Sequence, residues 1–561
     1  MATQYDVIVI GTGAGGGMAI RTLCAAGLKV CALNAGRKLD PPKDFQYHRM
    51  PWDMPFRGFG SAQQQAQSIG YMDNEYVPNV WEHDLAYSVA PGTSWTWPRC
   101  FAVGGKTNFW GRSSARFAEI DFKAASRDGL DVDWPVSYDD IAPYYSRVEQ
   151  MIGVASTVQN RPSNPDGEYL PPIRFRCRDY ILQAAAARAG IPYLPDRFAQ
   201  LTVPYQGHPA CHYCGNCTNG CDVGAFFSSP YFFLPDAEAS GKLELRTNTL
   251  VREILVDRDG MARGAAYVDR VSRREVEVYG RAVVVAASCI ESAHIMLNSK
   301  SRQWPTGIAN SSGQLGRNLC DQLYGTTASG YLPQLLGTPS FPDNVSGASV
   351  AWLPRWQNLK TPAEEPFFRG YSMYPDGGCE EFPSYFDDIE GYGTSYREEI
   401  KRRYPTPLSF YVQAPSQRSD RNFVDIDPEK KDVYSIPEVR FHFEWDQNTL
   451  KMWEHAKQSS QEIFRQAGAV YQGHGEPQPP GTSLHETGTC RMGNDPRHFV
   501  TNRFGQTHDV PNLYVCDASV FLNCTDKTTT LSILAFSLRT SETIVENFRS
   551  GGHRSDDPAT I

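Results

Sequence analysis

Apolar residues fall in short, clearly bounded runs along this chain. The first, Tyr5-Asp6-Val7-Ile8-Val9-Ile10, is a β-branched run of the kind found in a strand buried on both faces. It leads straight into Gly11-Thr12-Gly13-Ala14-Gly15-Gly16, after which Met18 to Ala26 read as helix. Gly27 separates that helix from a second apolar run, Leu28 to Leu33. Strand, turn, helix and strand within about 30 residues predict a β-α-β unit with parallel strands. Near the other end, Asn512-Leu513-Tyr514-Val515-Cys516 reads as a buried strand that delivers Asp517 to its C-terminal tip. In an open α/β sheet that edge faces the ligand; the alternative is an Asp that only caps the following helix. Between these ends, residues 321 to 483 carry no nucleotide motif and are rich in Tyr, Phe, Trp and Pro. Such a composition suits aromatic faces that stack on a sugar, and it equally suits an ordinary sheet core.

A chain of 561 residues is long for a single core, so two interleaved domains are expected. Lys and Arg total 54 against 63 Asp and Glu, a net charge of −9 with no basic block, which argues against a nucleic-acid binder. No run reaches the roughly 18 uninterrupted apolar residues of a membrane span. The first residues lack the basic region of a signal peptide, so no export signal of its own is expected. Of 14 Cys, four fall between positions 211 and 221, a local site and not a dispersed disulfide framework.

The glycine turn fits G-x-G-x-x-G. Gly11 permits the tight turn, Gly13 lets the backbone approach a pyrophosphate, and Gly16 lets helix and strand pack closely. The phosphates would sit on unpaired N–H groups at the helix N-terminus. The second strand should end in an acidic residue for the ribose hydroxyls; it ends in Asn34, whose amide can both donate and accept. Cys211, Cys214, Cys217 and Cys221 have the spacing C-x2-C-x2-C-x3-C of ferredoxin-type ligation, although Asp222 stands where a Pro would follow. An iron–sulfur cluster, a structural zinc site and unassembled thiols are the three readings of this segment.

Several segments together resemble the glucose–methanol–choline (GMC) family of FAD oxidoreductases. Val103-Gly104-Gly105-Lys106-Thr107-Asn108-Phe109-Trp110-Gly111-Arg112 is similar to its glycine-rich second signature, which places Gly104, Gly105 and Asn108 along the flavin. Trp134 to Tyr145 resembles the segment that follows, and Ala286-Ala287-Ser288 stands where the family has a strand ending in Ala-Gly. The resemblance implies FAD as cofactor, with Asp517 near its ribityl chain or pyrophosphate. It also implies a Rossmann-like FAD-binding domain (1–48, 90–120, 205–320 and 484–550), with the Cys-rich segment at 207–224. The interleaved α+β substrate domain, an antiparallel sheet, would take 121–204 and 321–483, followed by a flexible tail at 551–561.

Oxidising an alcohol by hydride transfer requires a base for the hydroxyl proton, usually a histidine. Ser483-Leu484-His485-Glu486-Thr487-Gly488-Thr489 matches the family's H-x-x-G-T segment and puts the catalytic base at His485. The family's second His or Asn, which hydrogen-bonds the substrate oxygen, falls on Thr528, with Asn523 and Lys527 as neighbours that could take the role. Some members hold a three-iron cluster on a C-x5-C-x3-C set, here Cys211, Cys217 and Cys221, so a 3Fe-4S cluster is expected before a 4Fe-4S one. Bacterial glucoside 3-dehydrogenases are the nearest resemblance, on the cysteine segment, Phe227-Ser228-Ser229-Pro230, Asp526-Lys527 and Arg539-Thr540-Ser541-Glu542. That resemblance implies oxidation of a glucoside C3 hydroxyl, electrons leaving through the cluster to a c-type cytochrome, and a small signal-bearing subunit that brings the enzyme to the periplasm. A cytoplasmic enzyme, a hexose, polyol or gluconate dehydrogenase, and a non-catalytic nucleotide- and zinc-binding subunit are the alternatives.

Overall fold

The structure is a computed structural model that describes residues 4–45, 53–58, 80–215, 217–339, 350–376 and 389–551, with Arg49, Gly60, Ser61 and Val77. The proposed tail lies almost wholly outside the described residues. The first strand, β1 (Gln4–Ile10), is followed by helix α1 (Ala14–Ala25) and strand β2 (Val30–Leu33). β1 and β2 run parallel, with Val7 opposite Val30 and Ile10 opposite Leu33. On its other side β1 pairs in parallel with the strand Glu275–Val285, and β2 pairs in parallel with Leu243–Arg246. Leu513–Val515 adds in parallel to the far end of Glu275–Val285, and the antiparallel strands Thr249–Val256 and Ala262–Asp269 complete seven strands. Val7, Ile8, Val9, Val30, Val283, Val284 and Leu513 are fully buried, as a sheet covered on both faces requires.

Helix α1 starts at Ala14, four residues before the apolar pattern places it. The helix enters through glycines because side chains do not fit there: a Cβ on Gly15 would lie 1.7 Å from the Cys516 carbonyl oxygen. The close-packed entry hides the start from any count of apolar residues. The C-terminal helix Thr530–Arg549 packs beside α1, and Ser537 Oγ donates to the Gly15 carbonyl at 2.7 Å.

A second sheet has four antiparallel strands in the order Ser372–Asp376, Pro407–Pro415, Gln322–Tyr331 and Val470–Gly473. The helix Gln447–Ala467 covers it with Met452, Trp453, Ala456, Ile463 and Phe464, all buried. Asp446 caps that helix by accepting from the Thr449 N–H, and Gly468 ends it in the left-handed region. A third sheet joins the two: Thr487–Thr489, Arg317–Cys320, Phe423–Lys431, Pro437–His442 and Ser88–Val89. The expected α/β class, a Rossmann-like unit with an antiparallel companion sheet, is what the chain adopts. Many aromatic side chains of residues 321–483, among them Trp352, Tyr371, Tyr374 and Phe410, are buried in the core of that companion region, so at these positions the composition reports packing. Among the described residues no helix is long and apolar enough to cross a membrane.

Candidate functional site

The C-terminal edge of the parallel strands opens into a cleft of about 1300 Å³, counted out to its mouth. Gly11, Gly13, Asn34, Gly105, Lys106, Ser288, Glu486 and Asp517 all line it. Gly11 has φ +98°, and a Cβ there would meet the Ala286 carbonyl oxygen at 2.3 Å, so the turn admits glycine alone. Gly16 touches the turn from behind, where a Cβ would lie 2.1 Å from the Gly11 oxygen. Gly13 differs: a Cβ would come no nearer than 4.0 Å to any protein atom. Its missing side chain leaves room in the cleft, at the N-terminus of α1, where N–H groups receive an anion.

Thr12 ties this turn to its surroundings. Its hydroxyl donates to Asn34 Oδ1 at 2.7 Å and accepts from the Gly104 N–H at 2.9 Å. Asn34 lines the cleft, yet its amide nitrogen donates to the Gly36 and Phe101 carbonyls at 3.1 and 2.8 Å. Its polar atoms hold the walls of the cleft together, and only a spare oxygen lone pair remains for a ribose. Asn108 likewise turns inward, donating to the Val103 and Gly105 carbonyls at 3.0 and 2.9 Å, and it shapes the loop without facing the cleft. Gly104, at φ +91°, makes the turn that presents Gly105.

Asp517 both caps and lines. One oxygen accepts from the Ser519 N–H and hydroxyl at 2.9 and 2.5 Å, and the other from the Ser292 hydroxyl at 2.5 Å. Burial raises its pKa. Ser288 keeps the backbone of the glycine it replaces, at φ +81° and ψ 163°, a region almost reserved for glycine. Glu486 is 5% exposed, and its Oε1 has no protein partner, while Lys106 Nζ stands 3.7 Å from Oε2. A buried acceptor left open on a cleft wall fits an occupant that brings N–H or hydroxyl donors. An open glycine cradle, a helix N-terminus and an orphaned acceptor together fit FAD.

His485 sits just behind this wall, between the cleft-lining residues Leu484 and Glu486. Its Nδ1 is 2.6 Å from Gln322 Oε1, and its N–H donates to the Ser483 hydroxyl at 3.2 Å. Burial first, and then the charge of Lys106, push its pKa down to about 4, so the imidazole is neutral near pH 7. Asp321 holds the loop that carries it, accepting from the Gly481 N–H at 2.7 Å and the Ser483 hydroxyl at 2.5 Å. Burial and the nearby Glu486 raise Asp321 to about 7.

The second substrate-facing position comes out differently from the family pattern. The Thr528 hydroxyl donates to the Ser113 carbonyl at 2.8 Å, so its one proton is already used and only acceptor capacity remains. Lys527 is no substitute, because its ammonium is buried between Asp121 and Asp526 at 3.0 and 2.8 Å. Asn523 Oδ1 accepts from Trp134 Nε1 at 3.2 Å. The cleft wall at this point is formed by Thr529 and Thr530.

The cysteine segment is also corrected. Cys211, Cys214, Cys217 and Cys221 share one neighbourhood, and none forms a disulfide. Among the described residues, however, no three His, Cys, Asp or Glu side chains converge as a metal would need. Two of the sulfurs accept from N–H donors. Cys211 accepts from Gln200 Nε2 and the Tyr213 N–H at 3.2 and 3.3 Å, and Cys221 from the Ala225 N–H at 3.4 Å. Cys217 sits in a short turn against Ala225 and Phe226, and burial pushes its thiol up to about 12. Among the described residues the four thiols therefore do not form the iron or zinc ligand set that the spacing suggested.

Lys106, Glu486, Asp321 and Gln322 are site residues that motif reading did not single out. Glu486 and Lys106 stood inside matched segments; Gln322, 163 positions before His485, had no sequence signal.

Models of the family described as GMC oxidoreductase match residues 5–324 and 418–537. A 2-methyl-1,2-propanediol dehydrogenase from Mycolicibacterium austroafricanum is 29% identical over 558 residues, covering 98% of this chain and 96% of that enzyme. A C-glycoside 3-oxidase from Arthrobacter globiformis is 30% identical over 324 residues, 55% of this chain and 54% of that one. Pyridoxine 4-oxidase from Mesorbium loti shares the fold at a TM-score of 0.63 and 16% identity, over 99% of this chain and 100% of that chain. A dinucleotide cleft backed by a neutral histidine, in a chain matched along most of its length, makes this protein a member of the GMC oxidoreductases, the FAD-dependent oxidoreductases of alcohols and sugars.

Proposed function

We propose that this protein is a dehydrogenase that oxidises a secondary ring hydroxyl of a sugar, the C3 hydroxyl of a glucoside, to the 3-keto sugar. The observation that carries the chemistry is His485, neutral and half-buried between Leu484 and Glu486, which line the cofactor cleft. The α1 N-terminus and Gly13 would receive the pyrophosphate, and Glu486 would accept from a donor on the occupant. Bound there, FAD supplies the hydride acceptor. His485 would take the hydroxyl proton on its free ring nitrogen as the C–H bond breaks, and the nearby Lys106 charge helps to keep the imidazole neutral beforehand. The likeness to a glycoside 3-oxidase supports the carbon chosen, and the likeness to a diol dehydrogenase supports an acceptor other than oxygen.

The remaining parts of the proposal are a cytochrome-type acceptor, a small subunit that carries the export signal, and a periplasmic site of action. Incubation with methyl glucoside, sucrose, glucose and gluconate, followed by product analysis, tests the substrate. A 3-keto product from the glucosides is expected. Oxidation of gluconate or a free hexose alone would move the activity to another carbon and overturn the glucoside reading.

A further inference from the structure

An imidazole has two nitrogens, and a neutral one can accept a substrate proton on only one of them. The surroundings of His485 decide which. Its Nδ1 lies 2.6 Å from Oε1 of Gln322, a side chain only 1% exposed. The Gln322 amide nitrogen donates to the carbonyl oxygens of Thr525 at 2.7 Å and Lys527 at 2.9 Å. Both partners are acceptors only, so both amide protons are used there. Turning the amide over would set its oxygen against two carbonyl oxygens, a repulsive arrangement with two buried acceptors left unpaired. The amide oxygen must therefore face His485, and since it can only accept, Nδ1 must carry the ring proton.

We propose that Gln322 is a positioning residue that locks His485 in the Nδ1–H tautomer and so leaves Nε2 as the basic nitrogen. The inference rests on the reading of His485 as the base and adds the device that prepares it. It also gives a role to the Asp526-Lys527 pair. The Lys527 ammonium is held between Asp121 Oδ2 at 3.0 Å and Asp526 Oδ1 at 2.8 Å, and Asp526 Oδ2 accepts from the Ser372 hydroxyl at 2.8 Å. The Lys527 N–H donates to Thr525 Oγ1 at 3.1 Å, which closes the turn. This buried ion cluster fixes the two carbonyls that orient Gln322, and the amide transmits their polarity to the ring. Among the described residues Lys106, on the glycine-rich loop, is the charge that acts on the ring, with Glu486 next to it in the chain and Asp321 holding the base of its loop.

The test uses the FAD-loaded enzyme labelled with 15N-histidine, with His485 assigned by its loss in His485→Ala. The ring nitrogen shifts should report Nδ1 protonated and Nε2 unprotonated at pH 7. Gln322→Met keeps the length and removes the acceptor; flavin reduction by substrate should slow about 100-fold while KM and FAD content hold. Gln322→Glu, protonated beside those carbonyls, donates to one of them, still offers an oxygen to Nδ1 and should restore most of the rate. A ring protonated on Nε2, or a Met variant reduced at the wild-type rate, overturns the assignment. If the Met variant does not fold, the wild-type spectrum alone decides. His485→Ala with normal flavin reduction would instead overturn the base reading itself, and the two failures are told apart.

Discussion

His485→Ala removes the proposed base and leaves the cleft wall formed by Leu484 and Glu486 in place. FAD content should be unchanged and flavin reduction slower by about 100- to 10,000-fold, as read by anaerobic rapid mixing. The pH dependence follows from burial. The imidazole is neutral in the fold down to about pH 4, against an ordinary value of 6.5. The base form should therefore persist well below pH 6, and flavin reduction by substrate should fall only as the pH drops through about 4. The same shift acts on stability. The unfolded chain binds a proton at this residue below 6.5 and the folded chain does not until about 4, so stability drains away as the pH falls through that window. Gly13 gives a separate prediction. A Cβ there comes no nearer than 4.0 Å, to the Gly104 oxygen, so Gly13→Ala should preserve the melting temperature and weaken FAD binding to the apoprotein. These positions were legible because each lies inside a contiguous motif. The roles of Asn34 and Asn108 were not, because an amide bonds with equal ease to a ligand or to a neighbouring carbonyl, and only the fold shows the carbonyls at Gly36, Phe101, Val103 and Gly105.

At the scale of elements, β1 and β2 could be read from apolar runs because parallel strands buried on both faces need them. The start of α1 could not, since its first turn is built of glycines that must lie close to other backbone. The loop at 525–528 shows the same limit more strongly. Counting along the family pattern placed Thr528 at the substrate, while the fold turns its hydroxyl to Ser113 and gives the loop another task, that of holding Gln322. Lys527→Met would strip the cation from two buried carboxylates and should cost about 3 kcal/mol, seen as a lower melting temperature of the holoenzyme. The spacing of the cysteines, for its part, records how many residues separate the sulfurs and not where the chain between them turns. Gln200 and Tyr213 donate to Cys211, and Ala225 donates to Cys221.

Across the whole molecule, three sheets meet at one place. The parallel sheet supplies the dinucleotide turn and Asp517, the antiparallel sheet supplies Gln322 at the start of one of its strands, and the joining sheet carries Thr487–Thr489 next to His485. The base and its orienting amide thus come from different elements, 163 positions apart, and only the assembled fold brings them together. Sequence reading reached the fold class because strand and turn patterns are local; it did not reach the hydrogen-bond network because that is long-range. The central claim, a glucoside hydroxyl oxidised beside His485, is tested most directly by mixing methyl glucoside with the oxidised holoenzyme without oxygen and following the flavin absorption. Bleaching that yields the 3-keto sugar, and that slows severely in His485→Ala at equal flavin content, is the expected result. A flavin that stays oxidised with every glucoside, or bleaches as fast without the histidine, would contradict it.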